Sequence, residues 1–192
     1  MRVLGRLTHA CSGIFAFMEM DLTDLSDTTP FHASSHIGNM IEGAAACLTA
    51  VGSVSGSSVT VFQDRGCTGA DPRTDTIKFK PLTEMPFWTV SLRAEQFGLC
   101  IAFRYSRSLA NKVVDCMPTT STAYDYYLKD SVDTLEFTGI LEVSGIENGN
   151  TSTLRSRVKE KIDRLHDSGY NNQAWVVIVA MANPLEICVV VK

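Results

Sequence analysis

The sequence predicts an α+β protein, built as a mostly antiparallel, strand-rich sheet or sandwich with two to three packed helices. Three observations favour this class: strand signals outnumber helix signals, three segments place apolar residues at helical spacing, and the last third reads strand, helix, strand, strand. With 192 residues, 45% of them hydrophobic and 20% charged, the chain has the composition of one globular domain. We expect a single domain over 1–192, in which the Gly/Ser-rich stretch 52–58 is the one candidate for an internal boundary.

Helix signals occur at 34–51, 120–130 and 152–167. The third segment is the clearest, because its apolar residues recur every three or four positions and so share one face of a helix. Ser152 can cap its start and Gly169 can close its end. The first segment has apolar residues at the same spacing, and the second follows Pro118.

Strand signals are more numerous. They occur at 13–19, 58–63, 76–80, 87–93, 99–105, 112–116, 135–143, 174–181 and 185–191. The nearly continuous β-branched runs 176–179 and 189–191 are typical of strands buried on both faces, and Asn183-Pro184 marks the turn between them. We interpret 13–19 as a first strand and not as a signal-peptide core, since acidic residues follow it and no small-residue cleavage site is present.

A spaced pattern lies between residues 58 and 108. Phe62 is followed by six residues and then Gly69, and Ser91 lies 22 residues beyond that glycine. This resembles the Greek-key motif of the βγ-crystallin family, in which an aromatic residue and a glycine form a folded hairpin that a later serine ties to the sheet. The resemblance implies a structural role, with Phe62 as the hairpin aromatic residue, Gly69 as the residue with positive φ and Ser91 as the tying serine. Aromatic residues stand where the family's calcium motif has Asp or Asn, so no calcium site is implied.

Charge and hydropathy restrict the partners. A formal net charge of −4 argues against nucleic acid, whose binding requires clustered basic residues. No apolar run approaches the roughly 18 residues of a membrane-spanning helix. We therefore expect a soluble protein with no nucleic acid, no membrane span and no cofactor, whose partner is itself or another protein.

The six cysteines include no C-x-x-C pair. Cys47, Cys100 and Cys188 lie in strongly apolar surroundings, where a free cysteine behaves as a small hydrophobic residue. We favour reduced thiols and a cytoplasmic location. A secreted protein with three disulfides is the alternative.

His32 and His36 are four residues apart near the start of the first helix, so both could face one metal ion. Ala33 follows His32, however, where the helical zinc-protease motif has glutamate. Spacing alone identifies no third ligand. The alternative places His32 in the loop before the helix and His36 on a partly exposed face.

A polar connection leads into the third helix. Gly145, Gly149, Asn150, Thr151 and Ser152 could present backbone N–H groups to an anion at the helix N-terminus. The phosphate-loop motif needs four residues between its glycines and then lysine. Here three residues separate the glycines and Asn150 occupies the lysine position. A polar loop with an N-cap is the favoured alternative.

A tyrosine-rich segment is the remaining feature. Tyr124, Tyr126 and Tyr127 beside Asp125 form an amphipathic cluster typical of interfaces and binding clefts. The rim of an ordinary core explains this cluster equally well.

No G-x-S-x-G or comparable nucleophile motif occurs. We therefore predict a non-enzymatic structural or binding protein that self-associates. A metal-dependent hydrolase using His32 and His36 is the first alternative, and a secreted membrane-active protein is the second.

Overall fold

The computed structural model describes residues 18–29, 32, 34–63, 72–84, 89–118, 123–170, 173–181 and 185–191. Within them the chain forms eight strands and three helices. In chain order these are β1 (Glu19–Asp21), α1 (Ser34–Ala50), β2 (Ser57–Gln63), β3 (Arg73–Lys78), α2 (Val90–Ala110), β4 (Val113–Val114), β5 (Tyr126–Lys129), β6 (Gly139–Ile146), α3 (Thr151–Asp167), β7 (Ala174–Ala180) and β8 (Glu186–Val191). The α+β class is confirmed.

All eight strands belong to one sheet, in the order β1-β3-β2-β8-β7-β6-β5-β4. Three neighbouring pairs are parallel, namely β1–β3, β2–β8 and β6–β7, and the other four are antiparallel. The sheet is therefore mixed and not purely antiparallel. At β6–β7 the reason is α3, because a helical crossover returns the chain to the same end of the sheet and makes the neighbouring strands parallel.

Helices cover both faces of the sheet, and β7 is buried between them. Val177 and Val179 lie in the core cluster that contains residues of α1 and α2. Val176 and Ile178 lie in the cluster that contains residues of α3. Because successive side chains of a strand point to opposite faces, β7 contributes to both cores, as its β-branched run predicts.

Two helices form where the sequence predicts them, since α1 and α3 begin and end within one residue of 34–51 and 152–167. Asn150, and not Ser152, caps α3: its side-chain oxygen accepts a hydrogen bond from the backbone N–H of Thr153 at 3.0 Å. Gly169 follows the helix with φ of 72°, a left-handed conformation that glycine adopts readily.

The strand predictions for 87–93 and 99–105 are wrong, because α2 occupies most of both segments. Residues 97–103 are all buried, and a helix buried on all sides shows no apolar stripe. A short apolar run does not distinguish a strand from a buried helix. The side chain of Thr89 caps α2 by accepting from the N–H of Leu92 at 3.3 Å.

The helix predicted at 120–130 is also wrong, since β5 occupies Tyr126–Lys129 and pairs with β4 and β6. Pairing with two neighbouring strands overrides a weak local helix signal. The strand predicted at 13–19 lies mostly outside the described residues, as does the turn at Asn183-Pro184. No helix among the described residues is long and apolar enough to cross a membrane.

Residues 22–28, here called the strap, join the two edges of the sheet. At one edge the N–H of Leu22 donates to the Lys78 carbonyl at 2.8 Å, and at the other the N–H of Val114 donates to the Thr28 carbonyl at 2.9 Å. A flat sheet of eight strands would be about 34 Å wide, whereas the chain from Leu22 to Thr28 spans at most about 21 Å. The sheet is therefore curled, with α2 on its concave side in contact with β1, β4, β6 and β7.

Arg104 of α2 binds the strap and its approach. Its Nε donates to the Asp21 carbonyl at 2.6 Å, and its Nη2 donates to the Asp24 carbonyl. Its Nη1 forms an ion pair with the Asp27 carboxylate at 2.9 Å. Through these three contacts the Arg104 side chain holds residues 21–27 against α2.

Candidate functional site

A cavity of about 310 Å³ opens where the N-terminal half of α2 crosses β6. Its lining comes from α2, β6 and the segments around β5. The lining residues are Ser91, Glu95, Leu99, Met117, Asp125, Tyr126, Val143, Ser144 and Gly145. This volume lies at the small end of the range for ligand sites.

Two glycines allow α2 to lie directly on β6. A Cβ atom added to Gly145 would be 2.0 Å from the carbonyl oxygen of Ala94, and one added to Gly98 would be 3.2 Å from the backbone nitrogen of Gly145. Only residues without side chains permit this approach. Glu95 follows Ala94 directly, so the close crossing places its carboxylate at the cavity wall.

Asp125 is fixed by the backbone of β6. Its N–H donates to the Leu141 carbonyl at 3.0 Å, and its carboxylate accepts from the N–H of Val143 at 2.8 Å. The side chain is half-buried, whereas Glu95 is exposed. None of the described lining residues is Lys, Arg or His, so the two carboxylates give the cavity a negative charge without an internal counter-ion.

Tyr126 is a buried lining residue of the cavity. The residue is 3% exposed, and its ring contacts those of Phe103 and His32 at centroid distances of 5.1 and 5.7 Å. Its hydroxyl forms no hydrogen bond with any described residue. Burial raises the pKa of Tyr126 to about 12, and the Asp125 and Glu95 carboxylates add to the shift. The phenol is therefore protonated at neutral pH.

The other two tyrosines of the predicted cluster lie elsewhere. Tyr124 and Tyr127 pack with the core cluster of α3, on the opposite face of the sheet, and the Tyr124 hydroxyl donates to that of Tyr127 at 3.0 Å. Alternation along β5 separates Tyr127 from Tyr126, whereas Tyr124 precedes the strand and its ring packs on that of Tyr127 with centroids 5.4 Å apart. Asp125 and Tyr126 alone belong to the cavity.

The residues of the Greek-key pattern are distributed over different elements. Phe62 is half-buried in β2, and Gly69 lies outside the described residues. Ser91 lies in the first turn of α2, on a helix and not on a strand, and its hydroxyl donates to the Glu147 carboxylate at 2.6 Å. The crystallin-like motif stays a prediction.

The structure brings His32 and His36 together, with stacked rings whose centroids are 5.2 Å apart. Nε2 of His32 lies 2.6 Å from the Asp115 carbonyl oxygen, a contact in which Nε2 donates its hydrogen and only Nδ1 is left to bind a metal. Burial, and then His32, lower the pKa of His36. In the described part of the chain no group of three His, Cys, Asp or Glu side chains is arranged to hold a metal ion.

The predicted anion-binding residues serve several purposes. Gly145 lines the cavity, whereas a Cβ atom on Gly149 would lie 2.9 Å from the Ala180 Cβ. Asn150 caps α3, and the Thr151 hydroxyl donates to the Glu186 carboxylate at 2.7 Å. Ser152 is exposed in the first turn of α3. The anion site stays a prediction.

Cys188 of β8 is disulfide-bonded, so the expectation of reduced thiols is wrong for this residue. Cys47, Cys100 and Cys116 are free. Burial raises the pKa of Cys47 to about 12 and raises that of Cys100 further. Their thiols therefore stay protonated and unreactive, and none of the three lines the cavity.

Sequence reasoning missed Glu95 because α2 was interpreted as strands. The signal that could have identified it is the pair of small residues Ala94 and Gly98 on either side of it, which mark a close helix contact. No protein-family model, no curated protein and no solved structure matches the chain. The geometry of the cavity therefore carries the functional conclusion by itself.

Proposed function

We propose that the protein is a non-enzymatic binding protein whose cavity takes a cation. The observation that supports this proposal is the pair of carboxylates, Glu95 and Asp125, in a cavity with no basic residue in its described lining. A ligand of opposite charge would supply the missing counter-ion.

The partly enclosed position strengthens this attraction. Charges interact more strongly where protein replaces water, and Asp125 is half-buried. The N–H of Val143 holds its carboxylate in one orientation, so little side-chain freedom is lost when a ligand binds.

Binding is favoured over catalysis because no histidine or cysteine is among the described lining residues. The Ser91 hydroxyl donates to the Glu147 carboxylate at 2.6 Å, a contact that lacks the histidine base of the serine triad. The ring of His32 contacts that of Tyr126, but neither His32 nor His36 is among the described lining residues.

Calorimetric titration tests the proposal. Mg²⁺, Ca²⁺ and n-butylammonium are titrated separately into the wild-type protein and the double variant Glu95→Gln/Asp125→Asn. At least one cation should bind the wild type at a single saturable site. Its affinity should fall by roughly tenfold or more in the variant, equivalent to losing about 1.4 kcal/mol.

The matched control is the double variant Glu136→Gln/Asp133→Asn, which removes the same two charges from the exposed β5–β6 connection. It should bind like the wild type. An equal loss in the control would mean that general surface charge causes the attraction. Absence of any cation binding to the wild type would refute the proposal.

We also propose that the protein self-associates through the β5–β6 connection. Three large apolar residues are exposed there: Leu135 at 91%, Val132 at 48% and Phe137 at 45%. Phe137 stacks on Tyr127 with centroids 4.1 Å apart, so this surface is preformed. Clustered exposed apolar residues favour protein contacts.

Sedimentation velocity over a range of concentrations tests this association. Leu135→Ser should shift the protein toward the monomer, whereas Glu136→Gln should sediment like the wild type. A wild-type protein that is monomeric at every concentration would exclude this second proposal without affecting the first.

For the compartment, the disulfide at Cys188 favours an oxidising environment over the cytoplasm. Alkylation of the unreduced protein from its natural source, followed by mass measurement, tests this. Labelling of all six cysteines would restore the cytoplasmic assignment.

A further inference from the structure

We infer that the cavity takes an organic ammonium group, R–NH₃⁺, whose hydrocarbon part lies along an apolar wall. This inference rests on the proposed function and specifies its ligand. The negative charge of Glu95 and Asp125 would attract an organic cation and a hydrated metal ion alike. The inference specifies the organic cation.

The unpartnered hydroxyl of Tyr126 is the first observation. The residue is 3% exposed, but its hydroxyl oxygen reaches accessible surface and is left to bind water or a ligand. The residue lines the cavity, so a bound ligand can provide a hydrogen-bond partner. Its neutral phenol oxygen accepts a hydrogen bond from an N–H donor. A protonated phenol is a poor ligand for a metal ion, since metal binding requires deprotonated groups.

The number of acceptors matches the number of ammonium donors. An ammonium group has three N–H donors, and Glu95, Asp125 and Tyr126 supply one acceptor group each. A divalent ion bound through protein side chains takes more oxygen ligands than this, or keeps several water molecules. The described lining contains no third carboxylate.

The apolar part of the wall is the second observation. Leu99 is 6% exposed and Val143 is 8% exposed, and both lie on the same cavity as the carboxylates. Met117, which also lines the cavity, is 59% exposed, and its flexible side chain can adapt to a ligand. An alkyl chain gains from contact with these side chains, whereas a hydrated ion does not.

The wild-type protein tests the inference first, by NMR titration of its backbone amides with four probes. These are n-butylammonium, n-butanol, tetramethylammonium and Mg²⁺. We expect n-butylammonium to bind at least about tenfold more tightly than n-butanol, which lacks charge, and than tetramethylammonium, which lacks N–H donors. Tighter binding of Mg²⁺ would overturn the inference while leaving the cation-binding proposal intact. Absence of binding by all three cations would overturn the inference and, together with absence of Ca²⁺ binding in the calorimetric titration, the cation-binding proposal.

Tyr126→Phe is the decisive variant, because it removes the hydroxyl and keeps the buried ring. We expect a loss of roughly three- to tenfold in n-butylammonium affinity and no change for Mg²⁺. Tyr124→Phe is the matched control, since its hydroxyl lies on the other face of the sheet, and it should bind like the wild type. An unchanged n-butylammonium affinity in a folded Tyr126→Phe protein would overturn the inference.

Two further probes identify the source of the ammonium group. Putrescine represents a free amine, and Nα-acetyl-lysine methylamide represents a lysine side chain of a partner protein. Either should compete with n-butylammonium for the site, and the tighter one identifies the source. Competition by neither would overturn the inference.

Discussion

A methyl group added to Gly145 would lie 2.0 Å from the carbonyl oxygen of Ala94, and the backbones of β6 and α2 therefore touch without an intervening side chain. The contact is between two backbones, which cannot rotate away as a flexible side chain would. It fixes the position of α2 on the sheet and so determines the shape of the cavity beside it.

Gly145→Ala should accordingly destabilise the protein, at or above the upper end of the about 1–3 kcal/mol typical of overpacked cores. Gly38→Ala is the control, because no atom lies within 4 Å of a Cβ added at this position of α1, and it should stabilise by about 0.5–1 kcal/mol. Urea unfolding of both variants measures the difference. Equal effects would mean that the helix does not lie as close to β6 as described.

Removing either carboxylate of the cavity should weaken cation binding, but only the loss of Asp125 should lower the free energy of unfolding strongly. Asp125→Ala leaves the N–H of Val143 without its acceptor and should cost about 1–3 kcal/mol of unfolding free energy. Glu95→Ala changes an exposed side chain and should stay within about 0.5 kcal/mol of the wild type. Both should weaken cation binding. Chemical unfolding and calorimetry on the same samples test this, and a large stability loss in Glu95→Ala would contradict it.

Glu142 should make stability fall as the pH rises. It is fully buried between Lys161 and Arg164 of α3, and burial raises its pKa from 4.5 to about 7, against the effect of the two cations. Between these pH values the folded state binds more protons than the unfolded state, so stability present below about pH 4.5 is lost toward about pH 7. Glu142→Gln should remove this slope and Glu136→Gln should keep it. Urea unfolding at several pH values measures both.

His36 should make stability fall as the pH falls, which is opposite to the effect of Glu142. Burial and the adjacent His32 lower its pKa, so the unfolded state protonates first as the pH falls below 6.5. Stability is therefore lost as the pH falls through 6.5 toward the folded-state pKa. His36→Gln should lack this loss. His166→Gln, at a side chain that is 80% exposed, should retain it, and equal acid sensitivity of the two variants would exclude His36 as the cause.

Arg104→Met should loosen the strap. Its three contacts with residues 21–27 include two backbone carbonyls, and their loss should cost about 2 kcal/mol or more. Arg107→Met, which removes an exposed bond to Asn111, should cost less than about 0.5 kcal/mol. Hydrogen exchange should accelerate at the N–H groups of Leu22 and Val114 in the first variant alone. Unchanged exchange there would show that Arg104 does not hold the strap.

Elements with a clear local pattern could be predicted from the sequence, whereas contacts between distant residues could not. The amphipathic spacing of α3 and the β-branched run of β7 are local properties, and both elements form as predicted. The strand predictions over α2 fail because residues 97–103 are all buried, so no apolar stripe marks the helix. The same holds for the cavity: Asp125 and Tyr126 are neighbours in sequence, whereas Glu95 joins them only through the crossing of α2 over β6.

The strap also has a consequence for the order of events during synthesis. Its residues are made before their partners, because Arg104 follows Asp21 by 83 residues and Val114 comes later still. At about 5–20 residues per second, the ribosome needs roughly 4 to 17 s to deliver that arginine. Until then residues 22–28 have no edge of β4 to bind and no guanidinium to hold them. The segment that closes the sheet is thus made before the residues that hold it, and it reaches its final place only after they have been made.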